Sequence, residues 1–149
     1  MLEDFIASNK LSAKVFATSN GVHSASRAQS LLGDADAIAK SILLMGSDSS
    51  PILVVLLGTD KVDFQKVKSV LNISDVRLAT QAEVFQVTGY EIGGVPPISI
   101  YGVTTIVDKQ LTKKDEVVCG GGDNLHLMRI KVSEIAEFAE NVKIEDVRK

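Results

Sequence analysis

The chain has 149 residues, a net charge of −3 and 45% hydrophobic residues. That length suits one domain with its own core over residues 1–149, and the composition excludes a disordered chain. The longest unbroken apolar run, Ile52 to Leu57, falls far short of the roughly 20 residues of a membrane-spanning helix, and the acidic balance argues against a broad nucleic-acid-binding face.

The opening Met1-Leu2-Glu3-Asp4 is acidic and lacks the basic-then-apolar order of a signal peptide. Cys119 is the sole cysteine, so no internal disulfide can form. Both features lead to the expectation of a reducing, cytoplasmic setting.

In chain order, Leu2 to Asn9 reads as a short amphipathic helix, with Leu2, Phe5, Ile6 and Asn9 on one face. Val15 to Thr18 is a short strand candidate, and Asn20-Gly21 is a turn signal. A helix is expected from about Ser24 to Leu32, with Gly33 placed to end it. Ile38 to Met45 has strand character, and its period of two puts Lys40 on one face with Ile42 and Leu44. A lysine there either lines a pocket or packs its stem while the ammonium reaches water.

Ser47 to Pro51 is a polar turn. Ile52 to Leu57 is a continuous β-rich run of the kind buried on both faces. Asp60 is expected to cap a helix through Leu71, followed by a brief strand at Val76 to Leu78. Thr80-Gln81-Ala82-Glu83 has capping-box spacing and starts a helix that should stop near Gly89. Strands follow at about Tyr101 to Val107, Glu116 to Cys119 and Leu125 to Val132, the last two joined by the turn Gly120 to Asn124. Ser133 is expected to cap a helix to Glu140, and Val142 to Ile144 to form a closing strand. This order fits an α/β fold with a mixed sheet, or partly closed barrel, flanked by helices.

One stretch has neither period. Thr88-Gly89-Tyr90-Glu91-Ile92-Gly93-Gly94-Val95-Pro96-Pro97 runs two permissive residues into two rigid ones. The amides of Gly93, Gly94 and Val95 can point outward, which makes a concave backbone surface for a small polar ligand. The ordinary reading of such a segment is a connecting turn.

Familiar chemistries find little support. His23, His126 and Cys119 are the soft-ligand candidates, and no pair has metal-ligand spacing. Cys119 lacks an evident base, although His126 follows seven residues later. Neither glycine cluster matches a phosphate-loop pattern, and there is no Gly-x-Ser-x-Gly elbow. No cofactor is implied. The lysine groups Lys61, Lys66, Lys68 and Lys109, Lys113, Lys114 read as solvated surface. An enzyme with this inventory would work by placing water and substrate with backbone dipoles and one lysine.

Taken in order, several segments resemble the YbaK/ProX family of editing domains related to the prolyl-tRNA synthetase insertion. They are Ala25 to Gly33, Lys40 within Ile38 to Leu44, Ile52 to Val55, Val76 to Ala79, Thr88 to Tyr90, Gly93 to Pro97 and Cys119 to Gly122. The resemblance spans nearly the whole chain. It implies hydrolysis, in trans, of the ester joining a wrong small amino acid to the terminal adenosine of a tRNA. It further implies that Lys40 holds that adenosine and its phosphate. By the same resemblance Gly93, Gly94, Val95, Pro96 and Pro97 cradle the aminoacyl carbonyl, while Gly120 and Gly121 line the pocket. The implied partners are the aminoacylated acceptor end of tRNA, aided by Lys109, Lys113 and Lys114, and an aminoacyl-tRNA synthetase. A non-catalytic amino-acid, nucleotide or tRNA-binding module of the same fold is the alternative, and a thiol enzyme using Cys119 a weaker one. Family members often carry Phe-Gly after the two prolines where this chain has Ile98-Ser99, so a different exit from the loop is expected.

Overall fold

Two sheets share one core, as a computed structural model of the protein shows for residues 1–18 and 38–149. The expected turn at Asn20-Gly21, the helix of Ser24 to Gly33 and His23 lie outside the described residues. Within them the order is α1 (Leu2–Ser8), β1 (Lys14–Ala17), β2 (Ala39–Gly46), β3 (Pro51–Leu57), α2 (Phe64–Leu71), β4 (Val76–Leu78) and α3 (Gln81–Thr88). Then come β5 (Thr104–Asp108), a 3-10 turn (Lys109–Lys113), β6 (Glu116–Gly120), β7 (His126–Lys131), α4 (Val132–Phe138) and β8 (Val142–Glu145).

One sheet is antiparallel, in the order β1-β7-β6. The other is mixed, in the order β4-β2-β3-β5-β8, with β3–β5 and β5–β8 parallel. A single parallel bridge between Ile38 and Val118 joins them at the start of β2. The result is the helix-flanked mixed sheet that the sequence pattern predicts, with the two sheets not fully closed into a barrel.

Alternation along β2 and β3 splits the apolar residues between two cores. Ala39, Leu43, Met45, Leu53 and Val55 face the larger one, with Val95, Ile98, Val117 and Met128. Leu44, Ile52, Val54 and Leu56 face the smaller one, with Val67 of α2. Ile52 through Leu56 are all buried, as a strand covered on both faces must be.

Three boundaries differ from expectation, each for a tertiary reason. The cap of α2 is Asp63, not Asp60: its carboxylate accepts from the amides of Gln65 and Lys66. Residues 61–63 are held extended against the chain's end, through the Val62–Arg148 bridge and the bonds Lys149 N to Lys61 O and Asp63 N to Val147 O. The helix therefore cannot begin until that pairing ends. Helix α4 has no side-chain cap, and Ser133 lies inside it. β7 runs straight into α4, with the Val132 amide taken by the Asp115 carbonyl at 3.0 Å. Finally, β5 starts at Thr104 rather than Tyr101. Tyr101 is exposed, and the Gly102 amide donates to the Glu140 carboxylate at 2.7 Å instead of to a ladder.

The capping box at Thr80 forms as predicted. Thr80 and Glu83 satisfy each other's amides, and Gly89 closes α3 in the left-handed region. That helix delivers the chain into the glycine–proline segment.

Candidate functional site

Helix α3 and strand β5 hold the two ends of the segment Tyr90 to Ile100. Its buried apolar residues, Tyr90, Val95, Ile98 and Ile100, belong to the larger core. Pro96 and Pro97 are buried as well, while Glu91, Ile92 and Gly93 are exposed. The kink is thus a packed part of the fold with an open tip. The Gly94 amide is consumed within the tip by the Glu91 carbonyl at 3.0 Å, which corrects the expectation that it points outward. Gly93 and Val95 have no acceptor for their amides among the described residues. Val95 is buried, and a buried unpaired N–H is rare and strongly seeks a partner.

The kink meets the β6–β7 hairpin through glycine backbones. The Gly122 amide donates to the Gly94 carbonyl at 2.9 Å. A Cβ on Gly94 would sit 2.6 Å from the Asp123 Cα and 2.7 Å from its nitrogen. A Cβ on Gly120 would collide with the carbonyl oxygen of Val95. Two main chains approach so closely that neither glycine has room for a methyl group. Gly121 is equally confined, its would-be Cβ lying 2.6 Å from the His126 carbonyl carbon.

At the hairpin tip, Nδ1 of His126 lies 2.7 Å from Oδ1 of Asp123, which also accepts the Leu125 amide at 2.8 Å. The His126 hydrogen bond is the main reason Asp123 stays below the usual carboxylate range. With Nδ1 donating, the neutral ring leaves Nε2 as its acceptor. The Asp-x-x-His spacing across a glycine turn was the available sequence signal for this pair. It says nothing about folding the pair against Gly94.

Lys40 is half-buried near the start of β2. Its Nζ donates to the Gly58 carbonyl at 3.3 Å, with its stem on the face of Ile42 and Leu44. Burial pushes its pKa down; the Asp60 carboxylate opposes that and Lys61 adds to it. One Asp60 oxygen pairs with Arg148 at 3.4 Å, and the other is buried with no partner. The parallel Ile38–Val118 bridge brings the start of β2 beside β6, the strand that ends in Gly120. Lys40 shares its strand face with Ile42 and Leu44 of the smaller core, whereas Val95 belongs to the larger one. The Lys40 ammonium is bonded to Gly58 and not to the kink.

Other candidates fall away. Cys119 is buried, its Sγ 3.6 Å from the Met128 carbonyl, and burial alone drives its pKa far upward, the reverse of a reactive thiolate. His126 is engaged with Asp123 instead. Among the described residues no three His, Cys, Asp or Glu side chains gather to hold a metal, and no helix is long and apolar enough to cross a membrane. Lys109 and Lys113 are exposed on the 3-10 turn, and Lys66 is paired with Asp146 at 3.2 Å.

The fold is a mixed two-sheet one in which a glycine–proline kink meets a glycine hairpin backbone to backbone. The family model for the aminoacyl-tRNA editing domain matches residues 19–138, and the chain belongs to that family. It is 35% identical over 112 residues to the proline–tRNA ligase of Bacillus subtilis, covering 71% of this chain and 20% of the ligase. The chain thus spans about a fifth of the length of that relative. The uncharacterized protein YwhH of the same organism is 29% identical over 103 residues, 68% of this chain and 65% of that one. Among solved structures, a hypothetical protein, APE2540, superposes with a TM-score of 0.89 at 25% identity, covering 99% of both chains. A structure described as a candidate trans-editing enzyme for prolyl tRNA synthetase superposes with a TM-score of 0.88 at 24% identity, over 99% of this chain and 94% of that one. The last likeness concerns the fold alone.

Proposed function

We propose that the protein is an aminoacyl-tRNA deacylase acting in trans in the cytoplasm, which hydrolyses the ester of a mischarged small amino acid. The observation that carries this reading is the amide of the buried Val95, which has no acceptor among the described residues and whose own carbonyl abuts Gly120. Ester hydrolysis passes through a tetrahedral oxyanion. Fixed amides aimed at that oxygen stabilise it without reorganising, and losing one such donor typically slows turnover about 10²–10³-fold. The exposed Gly93 amide is a second donor at the same tip.

Lys40 supplies the positive charge. Its single bond, to a neutral carbonyl, leaves two ammonium hydrogens to offer. The phosphate of a terminal adenosine is the stronger acceptor and would compete with the Gly58 carbonyl for the ammonium. No side-chain base is required if a ribose hydroxyl of the substrate places the attacking water. Gly94, Pro96, Pro97 and Gly121 hold the shape, and selection among amino acids follows from room in the hollow, where one methylene is worth about 1–3 kcal/mol. The acceptor end of tRNA is then the partner, with a synthetase as a further one through the likeness to proline–tRNA ligases.

Incubating the protein with mischarged Ala-, Ser- and Cys-tRNA and measuring free amino acid tests the reading. Release from at least one is expected. Folded protein that binds these tRNAs but releases nothing would instead support the binding-module alternative.

A further inference from the structure

The kink is closed at its base by one buried side-chain hydrogen bond. Tyr90 Oη donates to Ser99 Oγ at 3.0 Å, and both residues are almost fully buried. These residues bracket the tip and both prolines. The Tyr90 amide donates to Thr88 Oγ1 at 3.0 Å, and that hydroxyl lies 2.7 Å from the Val84 carbonyl of α3. The main chain of Tyr90 is therefore anchored to α3. Burial raises the Tyr90 pKa against the smaller opposing effect of Ser99, which keeps the hydroxyl a neutral donor.

Ser99 also carries strain. Its φ is +64°, a region disfavoured for a residue with a Cβ. The exit of the loop thus holds a serine in a conformation that glycine adopts freely. A serine persists in such a conformation only where its surroundings over-determine it. The Tyr90 bond is the specific contact that a glycine could not make.

We propose that Tyr90 and Ser99 are positioning residues: their hydrogen bond is a clasp that sets the Val95 amide relative to Gly120. This rests on the deacylase reading for its kinetic consequence but not for its structural one. Because the clasp acts on a group used in the transition state, its loss should lower kcat and leave KM nearly unchanged.

The test uses Tyr90→Phe, Ser99→Gly and the double variant, assayed on the mischarged tRNA that the protein cleaves fastest. Tyr90→Phe should lower kcat about five- to twentyfold with KM within a factor of two. Ser99→Gly should lower kcat similarly while its melting temperature holds or rises, because glycine relieves the strained φ. The double variant should be no slower than either single one, since both remove the same bond. Wild-type kcat in Tyr90→Phe, an effect confined to KM or melting temperature, or multiplicative losses in the double variant would overturn the clasp. If the wild-type protein cleaves nothing, the deacylase reading fails and amide hydrogen exchange decides the clasp. Faster exchange in Tyr90→Phe at Gly94 and Gly122, whose amides bond to the Glu91 and Gly94 carbonyls, supports it, and unchanged exchange overturns it.

Discussion

The strand Ile52–Leu57 and the kink Gly93–Pro97 are both largely buried, but opposite devices bury them. The strand fills both faces with branched side chains, Val54 and Val55 among them, at zero exposure. The kink is buried by main chain lying on main chain, with Gly94 against Asp123 and Val95 against Gly120. A core made of side chains absorbs a change of shape by repacking. A contact between two backbones cannot, because neither partner has a rotamer to change. The part of the molecule proposed to carry the chemistry is therefore also intolerant of an added atom at Gly94 and Gly120.

Substitutions can break that comparison. The largest effect is expected from Gly120→Ala, whose methyl group would have to displace the Val95 carbonyl. Deacylation should fall at least about 100-fold, since a displacement near 1 Å is enough for that, and thermal unfolding should move down. Wild-type turnover in this variant would show that the kink has slack. Next comes Lys40→Ala, expected to lose most activity on mischarged tRNA while its circular dichroism and melting temperature stay near wild type. Unchanged turnover would remove Lys40 from the site. The pH profile of the intact protein sharpens this. The alkaline limb set by Lys40 should lie below the 10.5 of an ordinary lysine, because burial is the dominant influence on it.

Leu53→Ala probes the other region. It should cost about 2–5 kcal/mol of stability in denaturant unfolding, while kcat of the folded fraction barely changes. A large kcat loss would mean that strand packing, too, sets the site. A smaller effect is expected at acid pH. Glu83 is held down from an ordinary 4.5 to about 2, chiefly by the hydrogen bond from Arg77 and then by the Thr80 amide. Its depressed folded pKa means that its contribution is present above about 4.5 and is lost as pH falls toward 2. Glu83→Gln should flatten the fall in melting temperature across that window. The smallest effect is expected from Cys119→Ser, whose kcat should match wild type, because the thiol is sealed in the core and faces a carbonyl.

Much of the fold was legible in local patterns. The Ile52–Leu57 run, the Thr80–Glu83 box, the Val76–Leu78 strand and Gly89 as a helix stop all come from interactions within a few residues. The misses share one cause. Asp60 and Ser133 are sound caps by local rules, but the extended pairing of residues 61–63 and the direct run of β7 into α4 override them. The Asp123–His126 pair and the loss of the Gly94 amide to Glu91 are three-residue contacts whose spacing is in the sequence, whereas the closure of the kink by Tyr90 on Ser99 depends on how the whole loop folds back.

The sequence by itself determined the composition of the site, a lysine on a strand, a glycine–proline kink and a glycine turn in family order, because periodicity and backbone propensity act over short spans. Tertiary structure alone decided which glycines cannot take a Cβ and that the kink and the β6–β7 hairpin meet backbone to backbone. Those properties belong to contacts between segments far apart in the chain, and no local pattern encodes the distance between them.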